Sequence, residues 1–326
     1  MKVLSINSTR GGKFTGPWIK VPEKIKNYND IKVVVKQLKP LSEAFKKAKV
    51  FNIDNLEPIK ANAFAYLLGV MIADASKHVI KRKSRVTIRI GLALTKKHDS
   101  NENFGEFVSF CVNCLGLRMS RIKDMPKGKR NTHPFFRWSS QSSPLIEWVF
   151  TVCLGLESDQ LTTYDSIKSN WLLKTPRDFR ICFIQGVADS DGYVDFNSFQ
   201  VGVLSYPNTK LIKNIIESLG IRNSIRVFRK NNLEAITVSV EDAYKIPLFS
   251  RIVNSYRFNQ MKMLATSEKL HWHMSKELRN KVENYLQSGL NGTALVKELL
   301  DKENIRVRTK AIRRIEQSLE MNINGR

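Results

Sequence analysis

The chain has 326 residues, and its 54 Lys and Arg against 30 Asp and Glu give a formal net charge of +24. An excess of this size favours a polyanionic partner such as a nucleic acid. We find no basic amphipathic helix or lipidation motif and no apolar N-terminal segment typical of a secretory signal, so a membrane partner is not expected. A cytoplasmic protein is expected, associated with the nucleoid or, in a eukaryotic host, placed in an organelle.

Residues 1–60 are rich in lysine and show little periodicity, apart from a helix predicted over residues 41–50. Two roles for this basic extension stay open. It is either an arm that follows DNA phosphates or a cap on the domain that comes next.

The first strongly patterned segment runs from Ala61 to Ala73, and its almost unbroken apolar sequence predicts a helix buried on every side. The segment is too short to span a bilayer, and it leads directly to a carboxylate, Asp74. Unpaired carbonyls give a helix C-terminus partial negative charge, which disfavours an acid there by about 0.3 to 1 kcal/mol. A single acid in this position is usually a solvated helix terminus. A second acid in the same position elsewhere in the chain would instead favour a site where a cation binds the acids.

The same arrangement recurs in residues 183–192, where an apolar stretch leads to Asp191. In both segments a glycine lies five residues before the acid, Gly69 before Asp74 and Gly186 before Asp191. The two acids are 191 − 74 = 117 residues apart, a separation that is typical of a duplicated domain.

The elements after each acid repeat as well, as shown by alternating apolar residues for strands and longer periods ending in glycine for helices. The first half predicts a hairpin ending in a strand at 86–94, a helix at 102–116, strands at 117–125 and 133–140, and a helix at 144–154. The second half predicts strands at 193–199 and 200–205, a helix at 209–220, strands at 221–230 and 234–240, and a helix at 241–252. Each half therefore reads helix, two strands, helix, two strands, helix, which is an α+β fold.

Two glycine-bearing helices that pack side by side bring both carboxylates together, and one of them would protonate unless a cation lay between them. Mg²⁺ (or Mn²⁺) suits such a pair, because it uses one or two carboxylates and takes its other ligands from water and substrate phosphates. A pair of such ions assists in-line displacement at a phosphodiester. The paired acids thus predict metal-dependent phosphodiester hydrolysis.

The segments LLGVMIADA and IQGVADSDG resemble the paired motifs of the LAGLIDADG homing endonucleases, in the monomeric form that carries two copies, and the similarity covers residues 61–265. The resemblance implies two pseudo-symmetric αββαββα repeats whose strands form a twisted antiparallel β saddle over double-stranded DNA. It also implies that Asp74 and Asp191 are the catalytic, metal-binding acids, and that Gly69 and Gly186 are the helix contact. The first motif departs from the family pattern at two positions: Ile72 stands where the family often has an acid, and Ala75 stands where it often has glycine. In the second motif, Asp189 is the acid at the position that corresponds to Ile72, and it is expected to be structural.

The family tunes its metal site with residues that follow the second and fourth strands, often basic ones. After the second strand, the first half offers Lys96 or Lys97 as further catalytic candidates, and the second half offers Tyr206. After the fourth strands come Ser143 and Glu241, neither of them basic. This asymmetry leaves open that the protein nicks, cuts slowly or has lost catalysis.

Outward residues on the strands are candidates for reading DNA, although outward polar residues on any strand can be merely solvated. In the first half they are Lys81, Arg82, Lys83, Arg85, Thr87 and Arg89. In the second half they are Arg222, Arg226, Arg229, Lys230, Thr237 and Ser239.

Residues 266–326 predict a small helical domain that resembles a helix-turn-helix without the usual turn glycine. Its candidates for binding phosphate or a DNA groove are Arg306, Arg308, Lys310, Arg313 and Arg314. The same basic spacing occurs on any solvated helix face, so both interpretations stay open. Four cysteines in apolar helical contexts, with a single C-x-x-C, favour buried reduced thiols over a zinc site.

The predicted organisation is a basic extension (1–60), a first repeat (61–160), a linker (161–175), a second repeat (176–265) and a helical tail (266–326). The favoured function is a site-specific double-stranded DNA endonuclease. The alternative is a weakly active or inactive nucleic-acid-binding protein on the same scaffold, either a maturase acting on intron RNA or a transcription regulator.

Overall fold

The computed structural model describes the chain except for residues 7–8, 11–12, 83–84, 97–99, 128–132, 158–164, 205–206, 229–232, 270–274 and 325–326. It contains two four-stranded antiparallel sheets flanked by helices, followed by a smaller helical unit. No helix in the described part of the chain combines the length and the hydropathy needed to cross a membrane.

The N-terminal extension is folded and packs on the first repeat. Its elements are β1 (Lys2–Ser5), β2 (Thr9–Arg10), β3 (Lys13–Phe14), β4 (Trp18–Val21), α1 (Tyr28–Gln37) and α2 (Ser42–Val50). The Ser143 hydroxyl donates to the carbonyl of Ile6 at 2.8 Å, and the Trp148 indole N–H donates to the carbonyl of Pro22 at 2.8 Å. Of the two roles left open for this extension, these contacts are those of a cap. The helix expected at 41–50 is confirmed, whereas β1, β4 and α1 escaped prediction because lysines interrupt their apolar residues.

Two repeats with the same order of elements make up most of the chain. The first consists of α3 (Lys60–Met71), β5 (Ser76–Arg82), β6 (Arg85–Thr95), α4 (Ser100–Cys114), β7 (Met119–Arg121), β8 (Phe135–Ser140), α5 (Pro144–Trp148) and a π-helical turn (Val149–Cys153). After a 3₁₀ helix (Asn170–Lys174), the second consists of α6 (Arg177–Asp191), β9 (Gly192–Asp195), β10 (Gln200–Leu204), α7 (Thr209–Ser218), β11 (Asn223–Phe228), β12 (Leu233–Ser239) and α8 (Val240–Lys245).

The two sheets share one topology, with strand orders β5-β6-β8-β7 and β9-β10-β12-β11. Their registers also correspond. Two residues after Asp74, Ser76 pairs with Gly91 of β6; two residues after the second acid, Tyr193 pairs with Gly202 of β10. The predicted α+β fold, built from two αββαββα repeats, is confirmed.

Alternate residues of the central strands form the core of each repeat. They are Ile88, Ile90, Leu92, Leu94, Val201, Val203, Ile236 and Val238, all buried on the side covered by helices. Because successive side chains of a strand point to opposite faces, the residues between them lie on the face away from the helices. We call this the outer face of each sheet.

The helix that ends the second repeat differs from the prediction. Helix α8 ends at Lys245 instead of continuing to residue 252, because Pro247 cannot supply a helical N–H. A further helix, α9 (Ser255–Thr266), follows it and has no counterpart in the predicted repeat.

The C-terminal unit has its own small core. Its elements are β13 (Glu268–Lys269), α10 (Lys276–Gln287), α11 (Gly292–Glu303), β14 (Ile305–Arg306) and α12 (Thr309–Asn324). Its buried residues are Leu278, Val282, Leu295, Val296, Leu299, Val307, Ile312 and Ile315. Between α11 and α12, Asn304 adopts a left-handed conformation with φ 53°, the role that a turn glycine usually fills.

Candidate active site

Helices α3 and α6 cross at a pair of glycines. A Cβ atom at Gly69 would overlap the carbonyl oxygen of Phe183 and lie 2.9 Å from the amide nitrogen of Val187. A Cβ atom at Gly186 would likewise overlap the carbonyl oxygen of Tyr66. The backbone of a helix cannot rotate away from a clash as a flexible side chain can, so this close approach requires glycine on both helices. The structure places both predicted interface glycines at the contact.

Asp74 and Asp191 follow the crossing at the same end of the two helices. Asp191 is the last residue of α6, whereas α3 ends at Met71 and Asp74 lies in the turn beyond it. The predicted helix through residue 73 is therefore too long. It stops early because the Ala75 amide donates to the carbonyl of Val70 at 3.0 Å, which closes the last turn.

The two acids share one electrostatic site. Burial first, and then the negative charge of Asp191, raise the pKa of Asp74 to about 7. Protein surrounds Asp74 closely, yet its side chain stays open to solvent, so water limits the size of this shift. Burial also raises the pKa of the half-buried Asp191. A pair of acids with raised pKa values is a natural ligand for a cation.

Arg257 of α9 is the cation that the chain itself brings to these acids. Its guanidinium donates to the backbone carbonyl of Asp189 at 3.2 Å, and its charge lowers the pKa values of Asp74 and Asp191 against the effect of burial. Burial lowers the pKa of Arg257 itself, while the neighbouring acids raise it. The sequence gives no signal for this residue, because α9 lies outside both motifs.

Asp189 is buried, with 4% of its surface exposed, and it joins the two repeats. It accepts hydrogen bonds from the Tyr66 hydroxyl of α3 at 2.9 Å and from the Ser250 amide at 3.1 Å. Burial raises its pKa to about 7, although these hydrogen bonds and Arg257 lower it in part. Its surroundings fit the structural role expected from the motif.

Among the described residues, the second-tier positions bring no free basic group to the acids. Lys96 was expected at the metal site, but its ammonium pairs with Asp124 at 2.6 Å because that carboxylate lies beside the end of β6. Glu241 pairs with Arg306. Lys97 and Tyr206 lie outside the described residues.

On the first sheet, Thr87 and Arg89 lie partly exposed on the outer face. Lys81, Arg82 and Arg85 lie on β5 and β6, and Lys83 is outside the described residues. Sequence reasoning missed Arg137 of β8, which pairs with Ala93 and so lies on the same outer face. The sequence alone did not predict that Arg137 faces outward, because aromatic residues flank it and the register of β8 could not be known.

On the second sheet, three predicted DNA contacts are engaged within the protein. Thr237 is only 3% exposed, and its hydroxyl bonds to that of Ser224 at 2.8 Å. The Ser239 hydroxyl accepts from the Asp242 amide at 3.1 Å and so caps α8. Arg226 is exposed, but its guanidinium pairs with Asp195 of β9 at 2.8 Å. Arg222 is exposed, and Arg229 and Lys230 lie outside the described residues.

Arg306 is buried, although the sequence predicts that it faces phosphate or a DNA groove. It is 4% exposed, donates to the carbonyl of Leu264 at 2.7 Å and pairs with Glu241, so it anchors the tail to the second repeat. The reason is its position on β14, between helices, instead of on α12. The remaining predicted tail residues are exposed: Arg308, Lys310, Arg313 and Arg314.

Among the described residues, no three His, Cys, Asp or Glu side chains converge as a metal site. Cys111, Cys114 and Cys153 are buried free thiols, and burial raises their pKa values.

No family model and no curated protein sequence matches the chain. Among solved structures, the crystal structure of I-DmoI in complex with DNA and Mn is 18% identical, covering 60% of this chain and 98% of that chain with a TM-score of 0.41. Full-length DUF199/WhiA from Thermatoga maritima is 13% identical, with 76% of this chain and 72% of that chain covered and a TM-score of 0.42. The N-terminal LAGLIDADG domain of DUF199/WhiA is 11% identical, covering 70% of this chain and 94% of that chain with a TM-score of 0.35. The structural neighbours of this chain include the homing endonuclease I-DmoI and a LAGLIDADG domain of WhiA.

Proposed function

We propose that this protein is a monomeric, site-specific double-stranded DNA endonuclease that hydrolyses phosphodiesters with Mg²⁺ or Mn²⁺ at Asp74 and Asp191. The observation that carries the proposal is the position of these acids, each five residues beyond a crossing glycine, with Asp191 raising the pKa of Asp74. Because one chain supplies both repeats, a second copy is not needed to complete the pair. The net charge of +24 suits a DNA substrate.

The donor set fits Mg²⁺ better than a metal that needs a complete set of protein ligands. Two carboxylates without a third His, Cys, Asp or Glu nearby, among the described residues, leave most coordination positions to water and phosphate. Since Arg257 already places positive charge beside the acids, we expect weak metal binding until DNA phosphates arrive.

Each residue of the candidate active site has a distinct role in this proposal. Asp74 and Asp191 would hold the metal, and the positive charge of Arg257 favours their ionised forms by lowering their pKa values against the effect of burial. Asp189 and Tyr66 hold the two repeats in register beneath them. When bound, the metal supplies Lewis-acid stabilisation of the attacking and leaving oxygens.

A nucleic-acid-binding protein without efficient cleavage is the second candidate. The observation in its favour is that Lys96 pairs with Asp124 and that Glu241 occupies the place of a basic residue. A maturase or a transcription regulator on this scaffold would retain intron RNA or DNA without breaking strands.

Incubation with a randomised-site plasmid library and Mg²⁺ tests the proposal. We expect wild type to linearise a subset of plasmids, and Asp74→Asn or Asp191→Asn to lower cleavage about a hundredfold or more. Asp301→Asn on the exposed face of α11 is the matched control and should cleave normally. Unchanged cleavage in the two site variants would overturn the assignment of the acids, and retention without breaks would favour the second candidate.

A further inference from the structure

The outer face of the first sheet carries a basic cluster: His78 of β5, Arg89 of β6 and Arg137 of β8. His78 pairs with Arg89 across the hairpin, and Arg137 lies on the next strand of the same face. Burial lowers the pKa of His78, and the positive charges of Arg89 and Arg137 lower it further. In the described part of the chain, neither arginine forms an ion pair. We call this group the His78 cluster.

The His78 cluster contains an unsatisfied donor. The Nε atom of Arg89 is buried and has no hydrogen-bond partner among the described residues. A buried N–H without an acceptor is unfavourable, and an acceptor supplied by a ligand removes that penalty. Arg89 and Arg137 add two positive charges to the same outer face, so the cluster favours an anionic ligand rich in acceptors.

The described strands of the second sheet carry one arginine on their outer face, and that arginine has an internal partner. This arginine, Arg226, pairs with Asp195 at 2.8 Å, and Thr237 on the same face shares a hydrogen bond with Ser224. Each group would have to give up an internal partner before it could bind DNA, which leaves little net gain. The corresponding surfaces of the two repeats are therefore unequal, although their backbones share one topology.

The position of the cluster relates it to the candidate active site. His78 comes four residues after Asp74, and its ring nitrogen lies 2.8 Å from the Ser76 hydroxyl at the start of β5. A Cβ atom at Gly91 would overlap the His78 ring, so the ring lies flat against the central strand. Bases that meet this face would lie next to the acid pair.

We propose that the protein reads its target unequally: the His78 cluster recognises guanines in the half-site under the first sheet, and the second outer face adds little affinity or sequence preference. This inference rests on the proposed function, in which the outer faces meet DNA because helices cover the inner ones. Guanine is the expected base because its O6 and N7 acceptors match the paired donors of arginine in the major groove.

Binding is measured separately from cleavage to test this. The full chain carrying Asp74→Asn and Asp191→Asn selects duplexes from a randomised library of about 30 base pairs, longer than the span of two half-sites in successive major grooves, and the recovered sequences are aligned. We expect sequence preference, rich in guanine, in one half of the recovered site. On a selected duplex, Arg89→Gln or Arg137→Gln should bind about tenfold to a hundredfold more weakly, whereas Arg226→Gln, the matched control, should stay within about twofold.

Arg89→Lys separates base reading from simple charge. Lysine keeps the positive charge but loses the planar fork, so we expect the salt dependence to remain and the guanine preference to fall. Thermal unfolding of each variant shows whether the fold is retained.

Equal preference in both half-sites, with equal losses for Arg226→Gln and Arg89→Gln, would overturn the inference. A uniform loss on all sequences would assign the cluster to phosphates and also overturn it. Failure to retain any duplex would overturn DNA binding itself, and the inference with it. Unequal binding by a wild-type protein that never cleaves would support the inference and contradict only the nuclease.

Discussion

Asp189 ties the repeats together although it lies outside the acid pair. Its carboxylate accepts from Tyr66 of the first repeat and from Ser250 beyond the second, and it is almost fully buried. In such a place, removing the acceptor leaves two buried donors unpaired, which is more damaging than losing the hydrogen bonds alone.

We expect Asp189→Ala to lower the free energy of unfolding by about 2 to 4 kcal/mol. Asp189→Asn should cost clearly less, because the amide oxygen still accepts from the Tyr66 hydroxyl or the Ser250 amide. Urea titration of both variants measures the difference. Equal losses would show that the negative charge, and not the acceptor, holds the repeats together.

The raised pKa values of Asp74 and Asp189 make the metal-free protein sensitive to pH. Each has a folded-state pKa of about 7 against an ordinary value of 3.8. A carboxyl group with a raised folded-state pKa favours folding in its protonated form, so this contribution is complete below about pH 4 and is lost as pH rises through about 7.

In EDTA we therefore expect the thermal midpoint to fall between about pH 4 and 7, and to fall less in Asp189→Asn, which has no proton to lose there. Mg²⁺ affinity should rise over the upper part of the same range, because the metal binds only the ionised acids. Calorimetric titration at about pH 6, 7 and 8 measures it. A Mg²⁺ affinity that does not change with pH would argue against Asp74 as a ligand.

The crossing of α3 and α6 determines the separation of the acids. The neighbours of each glycine are backbone atoms of the other helix, so a methyl group can be accommodated only if the helices move apart. Stability and metal binding are thus linked at a single contact.

We expect Gly69→Ala to destabilise the protein by about 1 to 3 kcal/mol and to weaken Mg²⁺ binding. Gly105→Ala is the matched control, because this helical glycine of α4 contacts the ring of Trp138 and not the other repeat. It should cost stability while leaving Mg²⁺ affinity unchanged. A similar loss of affinity in both variants would show that general destabilisation, and not helix separation, is responsible.

Several elements could be predicted because their patterns are local. The alternation from Val86 to Leu94 predicts β6, and the repeated glycine-to-acid spacing predicts the two motif helices and the acids. Arg257 and Arg137 could not be found in this way, since their relation to the site depends on tertiary packing of α9 and on the register of β8. The sequence also did not predict the internal partners of Arg226 and Thr237. Both residues lie on the outer face, but the groups that bind them, Asp195 and Ser224, are distant along the chain.

At the scale of the whole molecule, the tail is attached through Arg306, while the side chains of Arg308, Lys310, Arg313 and Arg314 remain exposed. The attachment is buried and reaches the second repeat through Glu241 and the carbonyl of Leu264. Charge and anchoring are therefore separable by mutation.

We expect replacement of Arg308, Lys310, Arg313 and Arg314 by glutamine to reduce the salt dependence of DNA binding. The slope of log K against log salt should fall by about 0.9 for each phosphate that the tail no longer neutralises. Exchanging four exposed lysines of the N-terminal extension, Lys24, Lys26, Lys32 and Lys36, gives a control with the same change in charge. Fluorescence anisotropy over a range of salt concentrations measures both slopes. If the two sets lower the slope equally, the tail acts only through the total charge of the protein.

The glycine crossing has one more consequence, because it packs the two halves directly against each other. A break between Glu157 and Asp165 should leave two fragments, each carrying one sheet and one acid, that reassemble when expressed together. Size-exclusion chromatography should then recover a one-to-one heterodimer, and Gly186→Ala in one fragment should abolish it. The fused chain would thereby behave as a pair of subunits whose covalent connection is dispensable.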